Sequence, residues 1–361
     1  MSLMDKLKKN STIKESETVS KSKFFNKKDV IPTLIPAINI ALSGSVDGGL
    51  TPGLTVFAGA SKNFKSGFSL LMAKAYMDKY PDSVMLFYDS EFGTPKTYFD
   101  SFKIDMDRVL HSPIVNLEQL RSDIMTQLEG FVRGDRVVIV VDSLGNSASK
   151  KEINDALEEK SVADFTRAKT GKSLFRMVTP YLNLLDIPMI AVAHTYDTME
   201  MFSKAVVSGG KGIYYAADNI FIIGRQQEKD KDGVIGYNFV INVEKSRFVK
   251  EKSKIIIEAT FNEGVNRWSG LLDMATESGH IAKVKIGNST GYSIIDRTTG
   301  EVSEDKIKTK ATYSEEFWTP ILNDPDFRKF VEDKYKLGAI KILSNAEIED
   351  EIDEVAGDDD E

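Results

Sequence analysis

The stretch GASKNFKS (residues 59–66) has the form of a phosphate-binding loop. A glycine opens it, and a lysine followed by a hydroxyl residue closes it, as in the pattern G-x-x-x-x-G-K-[ST]. Phe64 stands where that pattern has its second glycine. The apolar run LTVFAG (54–59) overlaps its start, and a helical pattern, FSLLMAKAYMDKY (68–80), follows it. Because strand, loop and helix come in the order that such loops need, the stretch predicts an α/β fold with a nucleotide site.

The chemistry of such a loop assigns a role to each of its parts. Backbone N–H groups converge on phosphate oxygens, and the N-terminus of the following helix adds its positive dipole. Lys65 is expected to reach the β- and γ-phosphates, and the Ser66 hydroxyl to bind Mg²⁺. The predicted nucleotide contacts come from Gly59, Ala60, Ser61, Lys62, Asn63, Phe64, Lys65, Ser66 and Gly67.

Two acidic residues follow predicted strands. VVIVVD (137–142) is a buried strand pattern that ends in Asp142, at the sheet edge where α/β folds bind ligands. A carboxylate there can hold the water shell of Mg²⁺. LFYDSEFG (86–93) places Glu91 where it can polarise an attacking water, while Asp89 orders the loop through hydrogen bonds. The alternative for these acids is an ordinary capping or turn role.

His194 ends a further predicted strand, PMIAVAH (188–194). From that position it can donate a hydrogen bond to the γ-phosphate, or it is a structural histidine.

The alternation of strands and helices predicts a mostly parallel central sheet covered on both faces. Beyond residue 268 the pattern changes to helices and a turn-bounded hairpin. We therefore expect an N-terminal helical segment and linker (1–30), an α/β nucleotide-binding core (31–267), a small α+β C-terminal domain (268–343) and an acidic tail (344–361).

Composition indicates a soluble globular chain without thiol chemistry. Of the 361 residues, 41% are hydrophobic and 28% charged, none is cysteine, and no apolar run is long enough to span a membrane. Ten acids and no base lie in the last fifteen residues, so without them the net charge of −8 becomes +2. Such a block is typical of a disordered tail, which either solubilises the chain or competes with a polyanion for basic surface.

Taken in order, GASKNFKS, LFYDSEFG, VVIVVDSLG, AVAHTYDTMEMFSKAVVSGGKG and INVEKSRFVKEKSK resemble the motifs of the RecA-type recombinases. The resemblance covers nearly the whole chain, and phage members of that family also place phenylalanine before the lysine. It implies an ATP- and Mg²⁺-dependent enzyme that forms helical filaments on single-stranded DNA, pairs it with duplex DNA and exchanges strands. It also implies a single-strand-binding protein and a mediator as partners, in the cytoplasm of a bacterial host.

The resemblance assigns further roles by position. Glu91 is the catalytic carboxylate and Tyr98 packs on adenine. His194 stands where bacterial relatives have glutamine, the residue that couples ATP to the DNA loops. Lys245 and Arg247, which alternate on one face of a predicted strand, reach the ATP of the neighbouring subunit.

Two segments match the DNA-binding loops of the family, residues 150–169 and 196–215. Cations there contact phosphate, and an aromatic side chain stacks between bases. Gly209, Gly210 and Gly212 permit a mobile loop whose N–H groups can approach phosphates. The predicted DNA-binding residues are Arg167, Lys169, Arg176, Phe202, Lys204, Gly209, Gly210 and Lys211.

Three other functions share parts of this pattern: a hexameric RecA-like helicase, a DNA-coating filament with little hydrolysis, and a small-molecule kinase. The kinase needs an arginine-rich lid, for which the sequence has no cluster.

Overall fold

The structure, a computed structural model, describes residues 1–24, 29–145, 147–158, 166–198, 205–231 and 233–338. Its helices are α1 (Leu3–Asn10), α2 (Pro36–Ser43), α3 (Lys65–Lys79), α4 (Lys96–Ser101), α5 (Leu117–Gly130), α6 (Lys150–Leu157), α7 (Thr166–Leu185), α8 (Lys211–Ala216), α9 (Leu271–Glu277), α10 (Glu315–Asn323) and α11 (Pro325–Tyr335). Its strands are β1 (Gly53–Ala58), β2 (Val84–Asp89), β3 (Val109–Pro113), β4 (Val137–Asp142), β5 (Pro188–Ala193), β6 (Thr195–Asp197), β7 (Ala205–Val207), β8 (Asn219–Asp230), β9 (Gly233–Ser246), β10 (Lys254–Thr260), β11 (Gly264–Val265), β12 (Ile281–Ile286), β13 (Ser289–Ile294) and β14 (Ile307–Lys308).

A nine-stranded sheet in the order β11-β10-β9-β8-β1-β5-β4-β2-β3 forms the centre of the fold. From β8 to β3 all neighbouring strands are parallel, whereas β8 to β11 are antiparallel. The predicted α/β fold with a mostly parallel sheet is confirmed. Because parallel strands end at one edge, the loops after β1, β2, β4 and β5 meet there.

Apolar side chains cover both faces of this sheet. Strands β1, β4 and β5 are buried along their whole length, which explains why their sequences are continuous apolar runs. One face packs against α2, α3 and the C-terminal helices, and the other against α5 and α7. The sheet is therefore a rigid platform for the loops at its edge.

The structure adds elements that the sequence patterns did not predict. The edge strand β3 is short and largely exposed, so it lacks a buried-strand pattern. Helix α7 begins inside the first predicted DNA loop and carries Pro180 in its interior, where proline normally interrupts a helical pattern. Strands β8 and β9 extend as a long hairpin whose outer half is exposed and polar.

The C-terminal part has a three-stranded sheet, β12-β13-β14, flanked by helices. Trp318 is fully buried and stacks on Trp268 at 6.2 Å between ring centroids. These side chains belong to the same apolar core as α2 and β10, so this region packs directly on the central sheet. The domain boundaries remain a prediction.

The N-terminal segment contains α1, whose start is fixed by a capping box between Ser2 and Asp5. No residue of α1 is buried, and Leu3 and Leu7 are exposed. Phe24 lies beneath the guanidinium of Arg133, 5.1 Å from its ring centroid. The acidic tail lies outside the described residues. Within the described ranges, every helix is too short or too polar to cross a membrane.

Candidate active site

The loop between β1 and α3 adopts the conformation that a second glycine would provide, although phenylalanine occupies the position. Phe64 precedes the first residue of α3 with φ 58° and ψ 22°, in the left-handed region. A bulky residue there is strained by roughly 1–2 kcal/mol. The Phe64 ring offsets this strain, because it stacks on Phe239 at 5.2 Å and meets Phe68 edge-on at 5.3 Å.

Gly67 is required by the Phe64 ring. A Cβ at residue 67 would lie 2.4 Å from Cζ of Phe64, closer than real Cβ atoms approach a neighbour. The glycine that the loop lacks at position 64 is thus matched by a glycine at position 67 that makes room for the aromatic ring.

Hydrogen bonds hold the rest of the loop in place. Asn63 Nδ2 donates to the carbonyl of Ile223 on β8 at 2.6 Å, and Arg225 Nη1 donates to the carbonyl of Lys62 at 3.2 Å. Lys65 is buried and its Nζ donates to the carbonyl of Ala60 at 2.8 Å. Burial lowers the pKa of Lys65, which the nearby carboxylates of Glu91 and Asp142 oppose. The Lys65 side chain therefore folds back into the loop whose bound phosphates it is predicted to contact.

Asp142 ends β4 beside this loop, as predicted. It is 3% exposed, and its Oδ2 accepts a hydrogen bond from Thr94 Oγ1 at 3.0 Å. Burial raises its pKa, the Ser66 and Thr94 hydroxyls oppose that shift, and the charges of Glu91 and Asp89 add to it. Asp142 Oδ1 is buried with no hydrogen-bond partner among the described residues. An oxygen in that condition, on a carboxylate that interacts with the Ser66 hydroxyl, fits the water shell of a magnesium ion.

Glu91 and His194 meet at the same edge. His194 Nε2 lies 2.7 Å from Glu91 Oε1, and the Ser143 hydroxyl donates to the same oxygen. Burial alone would raise the pKa of Glu91, but the hydrogen bonds from Ser143 and His194, with the charges of His194 and Lys65, together lower it. Glu91 is thus kept ionised, the state that a general base needs.

Asp89 orders the loop that carries Glu91, as predicted. Its Oδ1 accepts hydrogen bonds from the backbone N–H of Glu91 at 3.0 Å and of Phe92 at 2.7 Å. Phe92 is exposed and has φ 53°, so the turn requires this support.

Tyr98 lies at a cavity of about 780 Å³ that begins at the phosphate loop. The cavity is rich in aromatic side chains and includes Phe64, Phe102, Tyr237, Phe239 and Phe261. A flat apolar base fits such a surface. The adenine contact predicted for Tyr98 remains a prediction.

Lys245 and Arg247 lie at the opposite end of the strands from the phosphate loop. The end of β9 pairs with the start of β8, and the start of β8 lies beside the start of β1. Lys245 Nζ donates to the carbonyl of Ala217 at 2.8 Å, and Arg247 Nε lies 2.6 Å from Asp218 Oδ1. Arg247 follows the strand instead of continuing it, so the expectation that both alternate on one strand face was wrong. Among the described residues, the hydrogen bonds and ion pairs of these two side chains go to Tyr214, Ala217 and Asp218 and not to the phosphate loop.

Those predicted DNA-binding residues that the structure describes lie on and around α7 and α8. Lys169 and Arg176 are exposed on α7, whereas the Arg167 guanidinium donates to the carbonyl of Gly145 near the active site. Gly209 and Gly210 have φ of 109° and 77°, and exposed Lys211 begins α8. Phe202 and Lys204 lie outside the described residues.

Gly212 was expected to lend mobility to this loop and instead lies within α8. A Cβ at that position would come within 2.8 Å of Lys172 Cα on α7, so the residue is needed for close helix packing.

Three contributors to the site were not predicted from the sequence. Ser143 and Thr94 hold the two carboxylates, and Gly145 leaves room for His194, since a Cβ there would lie 2.5 Å from its Cδ2. The position of Ser143 directly after the strand-end aspartate was a usable signal. Thr94 has no such signal in the sequence, because its partner, Asp142, is 48 residues away.

Comparison with known proteins agrees with this geometry. The chain is 51% identical over 355 residues to the recombination and repair protein of Enterobacteria phage T4, which covers 98% of this chain and 90% of that protein. It is 24% identical to the RecA protein of Streptomyces avermitilis, over 71% of this chain and 66% of that protein. It is also 24% identical to the RecA protein of Bacteroides thetaiotaomicron, over 76% of this chain and 80% of that protein. Residues 268–331 match the family model for the C-terminal domain of the phage T4 recombination and repair protein. The chain therefore belongs to the family of the phage T4 recombination and repair protein, a branch of the RecA-like recombinases.

Proposed function

We propose that this recombinase is a DNA-dependent ATPase that forms helical filaments on single-stranded DNA and exchanges strands with a homologous duplex. The observation that carries the proposal is the meeting of Lys65, Asp142, Glu91 and His194 at one sheet edge, in a chain of this family. That convergence supplies a phosphate ligand, a metal-binding acid, a base and a sensor within one site.

Hydrolysis begins with ATP bound on the loop of residues 59–67. The backbone N–H groups and Lys65 hold the phosphates, and the cavity beside Tyr98 takes the base. Ser66 and Asp142 Oδ1, which has no hydrogen-bond partner in the part of the chain that the structure describes, would hold Mg²⁺. When bound, Mg²⁺ offsets the charge of the β- and γ-phosphate oxygens.

Glu91 accepts the proton of the attacking water. Its carboxylate is ionised and positioned by Ser143 and His194, so it is ready to act once a water lies in line with the γ-phosphate. His194 Nε2 donates either to Glu91 or to a γ-phosphate oxygen. This exchange of partners gives His194 the coupling role that glutamine has in bacterial relatives.

A second protomer completes the site. Lys245 and Arg247 lie at the sheet edge opposite the phosphate loop, so they serve only the nucleotide of a neighbouring copy. There they stabilise charge on the γ-phosphate as an arginine finger does. The exposed helix α1 belongs to the segment that we propose packs on the next subunit.

DNA binds along α7, α8 and the segments beside them. Lys169, Arg176 and Lys211 are exposed there, and Arg167 ties this surface to the active site through Gly145. Single- and double-stranded DNA are the proposed substrates, with a single-strand-binding protein and a mediator as partners in the host cytoplasm.

ATP hydrolysis by the wild type and Lys65→Ala, each with and without single-stranded DNA, tests the proposal. We expect DNA to stimulate wild-type turnover and Lys65→Ala to lose it, with strand exchange lost in parallel. Turnover that is indifferent to DNA, or that survives in Lys65→Ala, would refute the assignment.

A further inference from the structure

His111 lies on β3, the edge strand of the central sheet, and has no role in the site as described so far. It pairs in register with Phe87 on β2, and its ring stacks on that phenylalanine at 5.7 Å with an interplanar angle of 27°. Its side chain is 50% exposed, while its Nε2 points inward and lies 3.3 Å from Asp89 Oδ2. One face of the imidazole is thus fixed, and one ring atom touches a buried carboxylate.

That carboxylate is the one that shapes the catalytic loop. Asp89 is 4% exposed, and the backbone N–H groups of Glu91 and Phe92 occupy its Oδ1. His111 supplies the contact to its Oδ2. A buried carboxyl group is stable only when its hydrogen bonds are satisfied, so Asp89 holds the turn firmly only while both oxygens are engaged.

Ser90 is held separately, because its N–H donates to the Asp142 carbonyl at 2.8 Å and its Oγ to the Ser143 carbonyl at 2.7 Å. Asp89 Oδ1 instead holds the next two backbone N–H groups, where the chain is strained. Phe92 has φ 53°, a strained value for an aromatic residue, and its side chain is 65% exposed. The Glu91 carboxylate must nevertheless meet His194 Nε2 at 2.7 Å and Ser143. A small rotation of the Asp89 carboxylate would move both N–H groups that it holds, and Glu91 with them.

We propose that His111 is a positioning residue for Glu91 and acts through Asp89. This inference rests on the proposed function, since Glu91 must be the general base for its position to matter. His111 donates Nε2–H to Asp89 Oδ2, Asp89 Oδ1 fixes the turn, and the turn aims Glu91 at the attacking water. Misplacement by about 1 Å can cost a catalytic group up to about a hundredfold in rate.

The contacts of His111 predict a specific kinetic signature. The nucleotide is held by residues 59–67 and the cavity beside Tyr98, none of which hydrogen-bonds to His111. Loss of the imidazole should therefore lower kcat and leave KM for ATP unchanged. An ordinary destabilisation of the sheet edge would instead lower the unfolding temperature or alter both parameters.

The test compares His111→Ala, His111→Gln and Leu110→Ala with wild type in DNA-stimulated ATP hydrolysis. Glutamine keeps a donor close to the position of Nε2, and Leu110 is an exposed neighbour on the same edge strand. We expect kcat to fall roughly tenfold in His111→Ala with KM within about twofold, and to return to within about twofold of wild type in His111→Gln. Leu110→Ala should match wild type.

Hydrogen exchange of the peptide covering residues 86–93 gives a readout independent of turnover. We expect faster exchange in His111→Ala, because the N–H groups of Glu91 and Phe92 lose a firmly held acceptor. Unchanged kcat and exchange in His111→Ala, equal losses in the alanine and glutamine variants, or an equal loss in Leu110→Ala would each overturn the proposal.

Lys65→Ala distinguishes a wrong inference about His111 from a wrong proposed function. If Lys65→Ala is inactive and His111→Ala is normal, only the inference about His111 is wrong. If Lys65→Ala turns over like wild type, the site itself is misassigned and both fall together.

Discussion

The pairing of Phe64 with Gly67 predicts that one substitution will have opposite effects in two backgrounds. In the wild type, a Cβ at residue 67 would lie 2.4, 2.5 and 2.7 Å from three atoms of the Phe64 ring, its three nearest neighbours. The ring cannot simply swing aside, because it is packed between Phe239 and Phe68. We therefore expect Gly67→Ala to disturb the start of α3.

The magnitude follows from two opposing effects. Overpacking by a methyl group costs about 1–3 kcal/mol, and the clash here is severe, so we take about 3. Alanine in place of glycine in a helix contributes up to about 1 kcal/mol. Gly67→Ala should then destabilise the wild type by about 2 kcal/mol. In Phe64→Gly the clash is gone, and the same change should stabilise the protein by up to about 1 kcal/mol.

Urea unfolding of wild type, both single variants and the double variant measures this coupling. We expect an interaction energy of about 2–3 kcal/mol between the two sites. Phe64→Ala is the matched control for strain. It removes the ring but keeps a Cβ in the left-handed region, so it should be less stable than Phe64→Gly by about 1 kcal/mol. Additive effects within about 0.5 kcal/mol would refute the reasoning.

Two further predictions concern the base and the C-terminal region. Glu91→Gln should lower DNA-stimulated turnover at least about a hundredfold. Nucleotide binding, measured by displacement of a fluorescent ATP analogue, should stay within about twofold of wild type. Undiminished turnover would exclude Glu91 as the base. Burial and the charge of Glu258 raise the pKa of Tyr313 from 10.0 to about 12, and its hydroxyl donates to Glu258 Oε2 at 3.3 Å. Because the folded-state pKa is the higher one, this stabilisation is complete below pH 10 and is lost as the pH rises through 12. Tyr313→Phe should thus be about 1 kcal/mol less stable than wild type at pH 7. In chemical unfolding this difference should shrink and vanish as the pH rises between 10 and 12, because ionisation destabilises only the wild type. A pH-independent difference would contradict the linkage.

The sequence was most informative where one local pattern determines the structure. The runs LTVFAG and VVIVVD, and the LFYD that begins LFYDSEFG, form buried strands because only a sheet covered on both faces can bury continuous apolar residues. The residues after those strands converge because parallel strands end at one edge, which is why Lys65, Glu91, Asp142 and His194 could be grouped in advance.

The sequence was less informative where a residue acts through a distant partner. Thr94 and Ser143 hold carboxylates, and His111 reaches Asp89, through pairings that depend on the order of strands in the sheet. Gly212 looked like a loop glycine from the sequence. A glycine is needed there because α8 packs closely on α7, and that packing is not visible in the local sequence. The position of Arg247 beyond the end of β9 likewise depends on where the strand stops pairing.

The charges at the active-site edge explain why assembly and hydrolysis should be coupled. Lys65 lies beside two carboxylates, Glu91 and Asp142, and a triphosphate brings several more negative charges to the same place. A magnesium ion offsets part of this excess, but the charge that develops during phosphoryl transfer needs further donors. Lys245 and Arg247 cannot supply them within their own protomer, because they lie at the opposite end of the strands from its phosphate loop. We therefore expect an isolated chain to bind ATP and hydrolyse it slowly, and turnover to rise when DNA brings one protomer's Lys245 and Arg247 to the next protomer's site.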